Sequence, residues 1–395
     1  MRRKTVVVAA AIVSLVASLA FTFGCKNGGG SQNGPGGSGG GNQTGEIVIG
    51  HYASMTGDTA HFGQDTDKAV RLAVEEVNAQ GGIKGRRVKL VTLDTRGDAT
   101  EAANAVTRLI DVEHVSAIIG EVASTLSLAG GRVAQRRGIP MVSPSSTNPA
   151  VTAIGNNVFR VCFIDPFQGT VMAKFARENL RLTKVAIIKD VRSDYSIGLA
   201  ENFRRAFTQR GGQVVAEQSY SAGDTDFSAQ LTAIRDSGAE AIFVPGYYGE
   251  VGAIAVTKQR LGINVPLLGG DGWDAPDLFR IGGAALEGSF YSNHFAPDAA
   301  SDRARRFISA FQRRFGSEPT GLGALGYDAA MVLFEAMRRA QSVTPATIRE
   351  GLTATRNFEG VTGRITINAQ RDADKSAVVL RIRGGRAVYE TTVQP

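Results

Sequence analysis

From residue 46 onward the chain alternates short apolar runs with longer stretches that are apolar at every third or fourth position. Glu46–Tyr52 reads as a strand. Ala69, Leu72, Ala73, Val74 and Val77 then recur at helical spacing, and Gly81-Gly82 ends that helix. The same beat continues with strands at 87–93, 116–119 and 139–142 and helices at 99–112 and 124–137. After a strand at 157–163 and a helix reaching Leu180, it starts afresh. Strands fall at 184–189, 213–220, 241–244 and 266–268, with helices at 195–210, 227–237 and 250–261. Strands alternating with helices across loops of ordinary length predict α/β halves with doubly wound parallel sheets. Beyond a strand at 288–293 the pattern predicts helices at 301–315, 323–340 and 345–352. Three alternating strands, 363–367, 377–382 and 387–391, look like a small antiparallel addition.

Two strands end in turns dense in hydroxyls. Val115–Gly120 runs into Glu121-Val122-Ala123-Ser124-Thr125, and Ile139–Val142 into Ser143-Pro144-Ser145-Ser146-Thr147-Asn148-Pro149. The prolines bar that second turn from a central strand. In an open α/β sheet ligands bind in the crevice at the carboxyl ends of strands. The two turns therefore form half of a small-molecule site, which another half must close.

The 395 residues exceed one compact core and suggest two domains with tails. A net charge of +7 is spread along the chain with no basic run interleaved with aromatics, so no nucleic-acid partner is expected. The arginines at 303, 305, 306, 313 and 314 read as a solvated helix face. Of two cysteines, Cys162 lies in an apolar run and reads as a buried inert thiol. The histidines at 51, 61, 114 and 294 have neither metal-ligand nor nucleophile-elbow spacing, and Gly50–Ser54 lacks a dinucleotide fingerprint. No enzyme, metal or cofactor is expected.

Arg2, Arg3 and Lys4 precede an apolar run from Val6 to Phe23, the layout of an export signal at residues 1–24. Gly24-Cys25 then resembles the cleavage site of a bacterial lipoprotein, although Thr22 and Phe23 depart from that motif. Lipidation of Cys25 is the expectation, and loss of the leader lowers the charge from +7 to +4. Residues 25–45 are rich in glycine and too poor in apolar side chains to fold. They read as a tether with an r.m.s. span on the order of 25 Å.

The mature chain from about 46 to 393 resembles the type I periplasmic solute-binding proteins of branched-chain amino-acid ABC transporters, the leucine/isoleucine/valine-binding proteins. The resemblance rests on Met55-Thr56-Gly57 with Phe62-Gly63, Asn78 through Gly85, Ile119-Gly120 with Ser124, and Pro144–Thr147. It continues through Phe159-Arg160 with Asp165 and Gln168-Gly169, Asp194-Tyr195 with Gly198, Gly246-Tyr247, Gly270-Asp271-Gly272 and Tyr327-Asp328-Ala329. It implies two lobes, 46–163 plus 293–359 and 164–292 plus 360–393, joined by a three-crossing hinge. By similarity, Ser124 and the Thr147 backbone hold the ligand carboxylate. The Ser145 carbonyl, the Thr147 hydroxyl and Asp271 hold its ammonium. Phe62, Tyr195, Tyr247, Trp273 and Leu322 shape the side-chain pocket, and none of them is cationic. Each has a plainer role open to it: Ser124 as a helix cap, Ser145, Thr147 and Asp271 as turn formers, the aromatics as core. The partners implied are an amino acid, an inner-membrane permease with its ATPase, and a membrane reached through the lipid anchor, for a monomer on the periplasmic face. The same fold with a short amide, urea or aromatic acid as ligand, or a sensor for a separate membrane partner, stays open.

Overall fold

The computed structural model describes residues 45–394; the export segment, Cys25 and the tether lie outside them. Lobe one is built on β1 (Ile47–Ala53), α1 (Ala60–Ala79), β2 (Val88–Asp94), α2 (Ala99–Asp111), β3 (Ala117–Ile119), α3 (Ser124–Arg137), β4 (Met141–Ser143), α4 (Ala150–Ala153) and β5 (Val158–Arg160). The strands form a parallel sheet in the order β2-β1-β3-β4-β5. β1, β3, β4 and β5 are buried almost throughout, so their runs are apolar on both faces rather than alternating.

The chain then crosses to lobe two, where α5 (Asp165–Lys174) ends in a wide turn of helix at Phe175–Asn179. There follow β6 (Lys184–Asp190), α6 (Asp194–Gln209), β7 (Gln213–Tyr220), α7 (Ser228–Asp236), β8 (Ala241–Val244), α8 (Tyr248–Arg260), β9 (Leu267–Gly269), α9 (Pro276–Gly282) and β10 (Phe290–Asn293). The parallel order β7-β6-β8-β9-β10 repeats the plan of lobe one. In each lobe the strand order reverses beside the first strand, at β1/β3 and β6/β8, which opens a crevice there.

The chain returns with α10 (Asp302–Phe315), α11 (Gly321–Arg339) and α12 (Pro345–Thr353); α10 and α11 pack on α1, and α12 packs on α11. It closes with β11 (Phe358–Gly360), β12 (Gly363–Ile367), β13 (Ala373–Asp374), β14 (Ala377–Arg383) and β15 (Arg386–Val393). Here the structure corrects the single antiparallel addition. β12 pairs with β11 and β13 in a separate three-stranded sheet, whereas β14 and β15 extend the lobe-two sheet antiparallel to β10. Partner choice among short strands is decided by distant sequence, here β10. The short helices α4 and α9 also went unanticipated, each being too brief for a periodic signal.

Candidate functional site

The two hydroxyl-rich turns lie side by side at the carboxyl ends of β3 and β4, and most of their polar groups are consumed in joining them. The Ser127, Ser143 and Ser146 hydroxyls all reach the Glu121 carbonyl at 3.0–3.1 Å, and Ser146 Oγ lies 2.7 Å from Ser127 Oγ. From below, the fully buried Arg160 donates to the carbonyls of Ser146 and Asn148 and pairs with Asp372 at 2.7 Å. Asp372 also accepts from Thr152 at 2.8 Å. The guanidinium thus holds a turn that has no regular backbone ladder of its own.

Two hydroxyls remain. Ser145 Oγ and Thr147 Oγ1 are buried and have no partner, although buried polar groups are rarely left so. Ser124 is the first residue of α3, but its side chain does not cap the helix: Ala123 holds the cap position, and Ser124 Oγ accepts from the Asn148 N–H at 3.2 Å. The structure therefore separates Ser143 and Ser146, which bind the turns together, from Ser145 and Thr147, whose hydroxyls are left over beside Ser124 in the chain segment that packs on the amino end of α3 through Asn148. That end carries a partial positive charge and free N–H groups, the local chemistry of an anion site.

Glu121 is a residue that the sequence reading passed over. Its buried carboxylate accepts from the hydroxyls of Ser54 at 2.6 Å and Thr95 at 2.8 Å, and from the N–H groups of Val122 and Ala123 at 2.7 and 3.2 Å. It ties the loops after β1, β2 and β3 together and forms no ion pair among the described residues. The available signal was an acid interrupting Ile118-Ile119-Gly120 just before a helix.

Lobe two faces these turns with the loops after β6, β8 and β9. The rings of Tyr195 and Tyr247 stack at 5.3 Å and 6°, and Phe62 of lobe one meets Tyr247 edge-on at 5.6 Å. The Tyr195 hydroxyl accepts from the Gly272 N–H at 3.2 Å. A Cβ at Gly272 would lie 2.7 Å from the Gly246 carbonyl and 3.0 Å from both tyrosine rings, so only glycine lets the Asp271 turn settle on them. Burial pushes both phenols up, and they stay neutral.

Asp271 is buried and already held. Its Oδ1 accepts from Gln168 Nε2 at 2.8 Å, and its Oδ2 lies 2.9 Å from His294 Nε2. His294 stacks on Phe163 at 3.7 Å, and burial pulls its pKa below the ordinary value. A neutral imidazole in that place donates from Nε2 and leaves Nδ1 bare, which matches the unpartnered Nδ1. Gln168 and His294 thus orient the carboxylate without neutralising it. Trp273 lies behind this surface rather than on it. It is fully buried against Gly269 and Tyr291, and its indole donates to the Val244 carbonyl at 2.9 Å. Leu322 is likewise buried, in the first turn of α11.

The lobes meet in a closed arrangement. The Thr125 hydroxyl donates to Asp194 Oδ2 at 2.9 Å and accepts from the Asp194 N–H at 3.0 Å, while Asn148 Nδ2 donates to the Asp194 carbonyl at 2.7 Å. Beyond Tyr247 a cavity of about 350 Å³ opens between Ala123, Thr125, Arg192 and Glu250. No cluster of histidine, cysteine and carboxylate groups suited to a metal occurs among the described residues.

Fold and cleft can be set beside known proteins. The family described as periplasmic binding protein matches residues 46–386. The chain belongs to that family. It is 32% identical to Leu/Ile/Val-binding protein homolog 3 of Brucella melitensis, over 83% of this chain and 88% of the relative. The crystal structure of the leucine-binding protein LivK from Thermotoga maritima superposes with a TM-score of 0.85 at 44% identity, covering 88% of this chain and 99% of that one. The branched-chain amino acid transporter substrate-binding protein LivJ from Streptococcus pneumoniae, solved in complex with isoleucine, gives 0.84 at 32% identity over 89% and 100%. As a periplasmic binding protein the chain has the two-lobed type I fold and binds rather than catalyses.

Proposed function

We propose that this protein captures a branched-chain or other hydrophobic amino acid between its lobes and delivers it to an inner-membrane ABC permease. One observation carries the reading. The cleft sets a helix amino end with Ser124, Ser145 and Thr147 against a buried, unneutralised Asp271, with aromatic rings between. A zwitterion must lose water from both charged ends when buried, and each end needs a partner of opposite sign. The carboxylate would lie on Ser124 and the Thr147 N–H. The ammonium would lie on the Ser145 carbonyl, the Thr147 hydroxyl and Asp271, directly or through a water.

Phe62, Tyr195 and Tyr247 would face the side chain, and none offers a charge to a glutamate or lysine ligand. The related proteins named for leucine, isoleucine and valine support the same substrate class. In this reading lobe one comprises 46–163 plus 293–359, and lobe two 164–292 plus 360–393. Family membership puts the folded body in the periplasm. The resemblance of Gly24-Cys25 to a lipoprotein site supports a lipid anchor at Cys25. Calorimetric titration with leucine, isoleucine, valine, glutamate, lysine and benzoate tests the reading. The three branched-chain amino acids should bind most tightly; tighter glutamate, lysine or benzoate binding would overturn it.

A further inference from the structure

Asp165 opens α5, just after the chain has crossed into lobe two. It is fully buried, and neither Oδ1 nor Oδ2 has a hydrogen-bond partner. Its N–H donates to the Thr147 carbonyl at 2.9 Å, which seats it beside the unpartnered Thr147 hydroxyl. The charged and titratable groups facing it are few. The Thr147 hydroxyl lies close enough to favour its carboxylate without completing a hydrogen bond, Asp271 opposes it, Arg160 favours it less strongly, and Tyr195 and Tyr247 present neutral phenols. Arg160 is engaged by Asp372 and two carbonyls, and Asp271 has His294 behind it. Burial therefore dominates and pushes the Asp165 carboxyl up to about 8. A buried carboxylate without a donor is costly, so the group keeps its proton in this arrangement.

We propose that Asp165 is a second acid at the ammonium end of the cleft and gives up its proton when the ligand's ammonium arrives. The inference rests on the amino-acid reading above. The O–H bond of the carboxyl breaks, its electron pair stays on oxygen, and the proton leaves to solvent. The ammonium replaces it as the positive charge, so the net charge of that end is unchanged while Asp165 gains an N–H donor. An opposite charge within ~4–6 Å lowers a carboxyl pKa by roughly 1–3 units, enough to bring this one below neutrality.

Calorimetry of leucine binding at pH 7 in phosphate and in Tris, whose ionisation enthalpies differ widely, counts the protons released. Roughly half to one proton per leucine is expected, with affinity rising about three- to tenfold per unit between pH 6 and 8. Asp165→Asn should remove the buffer dependence. Leucine binding with equal enthalpy in both buffers, or release that persists in Asp165→Asn, would overturn the proposal and leave the amino-acid reading standing. No binding of any amino acid would remove both.

A second measurement needs no ligand. The folded pKa of about 8 exceeds the unfolded 3.8, so the native state binds the extra proton between them and loses stability as pH rises through that window. Asp165→Asn lacks this loss, and its melting temperature relative to the parent should climb from pH 5 to pH 8. A margin independent of pH would overturn the assignment.

Discussion

The lobe-one face of the cleft is made of backbone and small hydroxyls cross-tied by Arg160 and Glu121, whereas the lobe-two face is made of stacked rings and a carboxylate held by two neutral side chains. On the first face the polar groups are structural to one another: the carbonyls that Arg160 holds belong to the turn that presents Ser145 and Thr147. On the second, Asp271 has partners that orient it, and the rings of Tyr195 and Tyr247 lean on each other rather than on the turn's polar ties. Under the proposed function, lobe one would offer a preformed socket for the ends common to every amino acid. Lobe two would offer the groups that tell one side chain from another and that reach the ligand on closure. A ligand favours the closed state only through contacts that the open state lacks, and those are on lobe two.

This contrast predicts that the two faces fail differently. Arg160→Met should have the largest effect. It strips a buried pair of its cation, leaving Asp372 with only the Thr152 hydroxyl and taking the guanidinium donor from two carbonyls. Breaking a buried ion pair from one side costs about 3–5 kcal/mol, which denaturant unfolding would read. Leucine affinity should fall as well, because the turn loses its anchor. A loss below ~1 kcal/mol would show that the turn holds itself, and the contrast would collapse.

Asp271→Asn comes next and should act on binding alone. Asparagine keeps the shape and still accepts from Gln168 or His294, so folding should change little. The ammonium would lose one charged partner, worth about 1.5–3 kcal/mol, for a drop of roughly 10- to 150-fold in leucine affinity by calorimetry. An unchanged affinity would remove Asp271 from the site and make the lobe-two face structural too.

The alternation of strands and helices was readable because buried parallel strands are continuous apolar runs and the helices between them are amphipathic. Both halves emerged from it, with most element ends within three residues. The site was readable only in part. Ser143, Ser145, Ser146 and Thr147 are indistinguishable in sequence; which of them are left free depends on Arg160, more than ten residues away, and on the Glu121 carbonyl in the loop after β3. Phe62, Tyr195 and Tyr247 do come together, from positions 62 to 247. Trp273, grouped with them by similarity, instead fills the core beneath, where Gly269 makes room for its ring. Gln168 belonged to a motif of the resemblance and His294 to none, but neither sequence position told of Asp271, since those contacts exist only in the folded chain.

The smallest effect should come from the seam where the faces touch without a ligand between them. Thr125 and Asp194, each in the first turn of its helix, exchange two hydrogen bonds across the cleft. Both groups are only partly buried, and opening would hand them to water, so the pair contributes to closure and little to folding. Thr125→Val removes both bonds at nearly constant volume. A net worth of ~1 kcal/mol shifts the closed-to-open ratio about fivefold. Small-angle scattering of the unliganded protein should therefore show a larger open fraction, with the denaturation midpoint unmoved. Saturating leucine should restore the closed profile, because the lobe-two contacts are intact. If the variant scatters as the parent does, closure is carried by the edge-on contact of Phe62 with Tyr247, and the seam is only a surface contact.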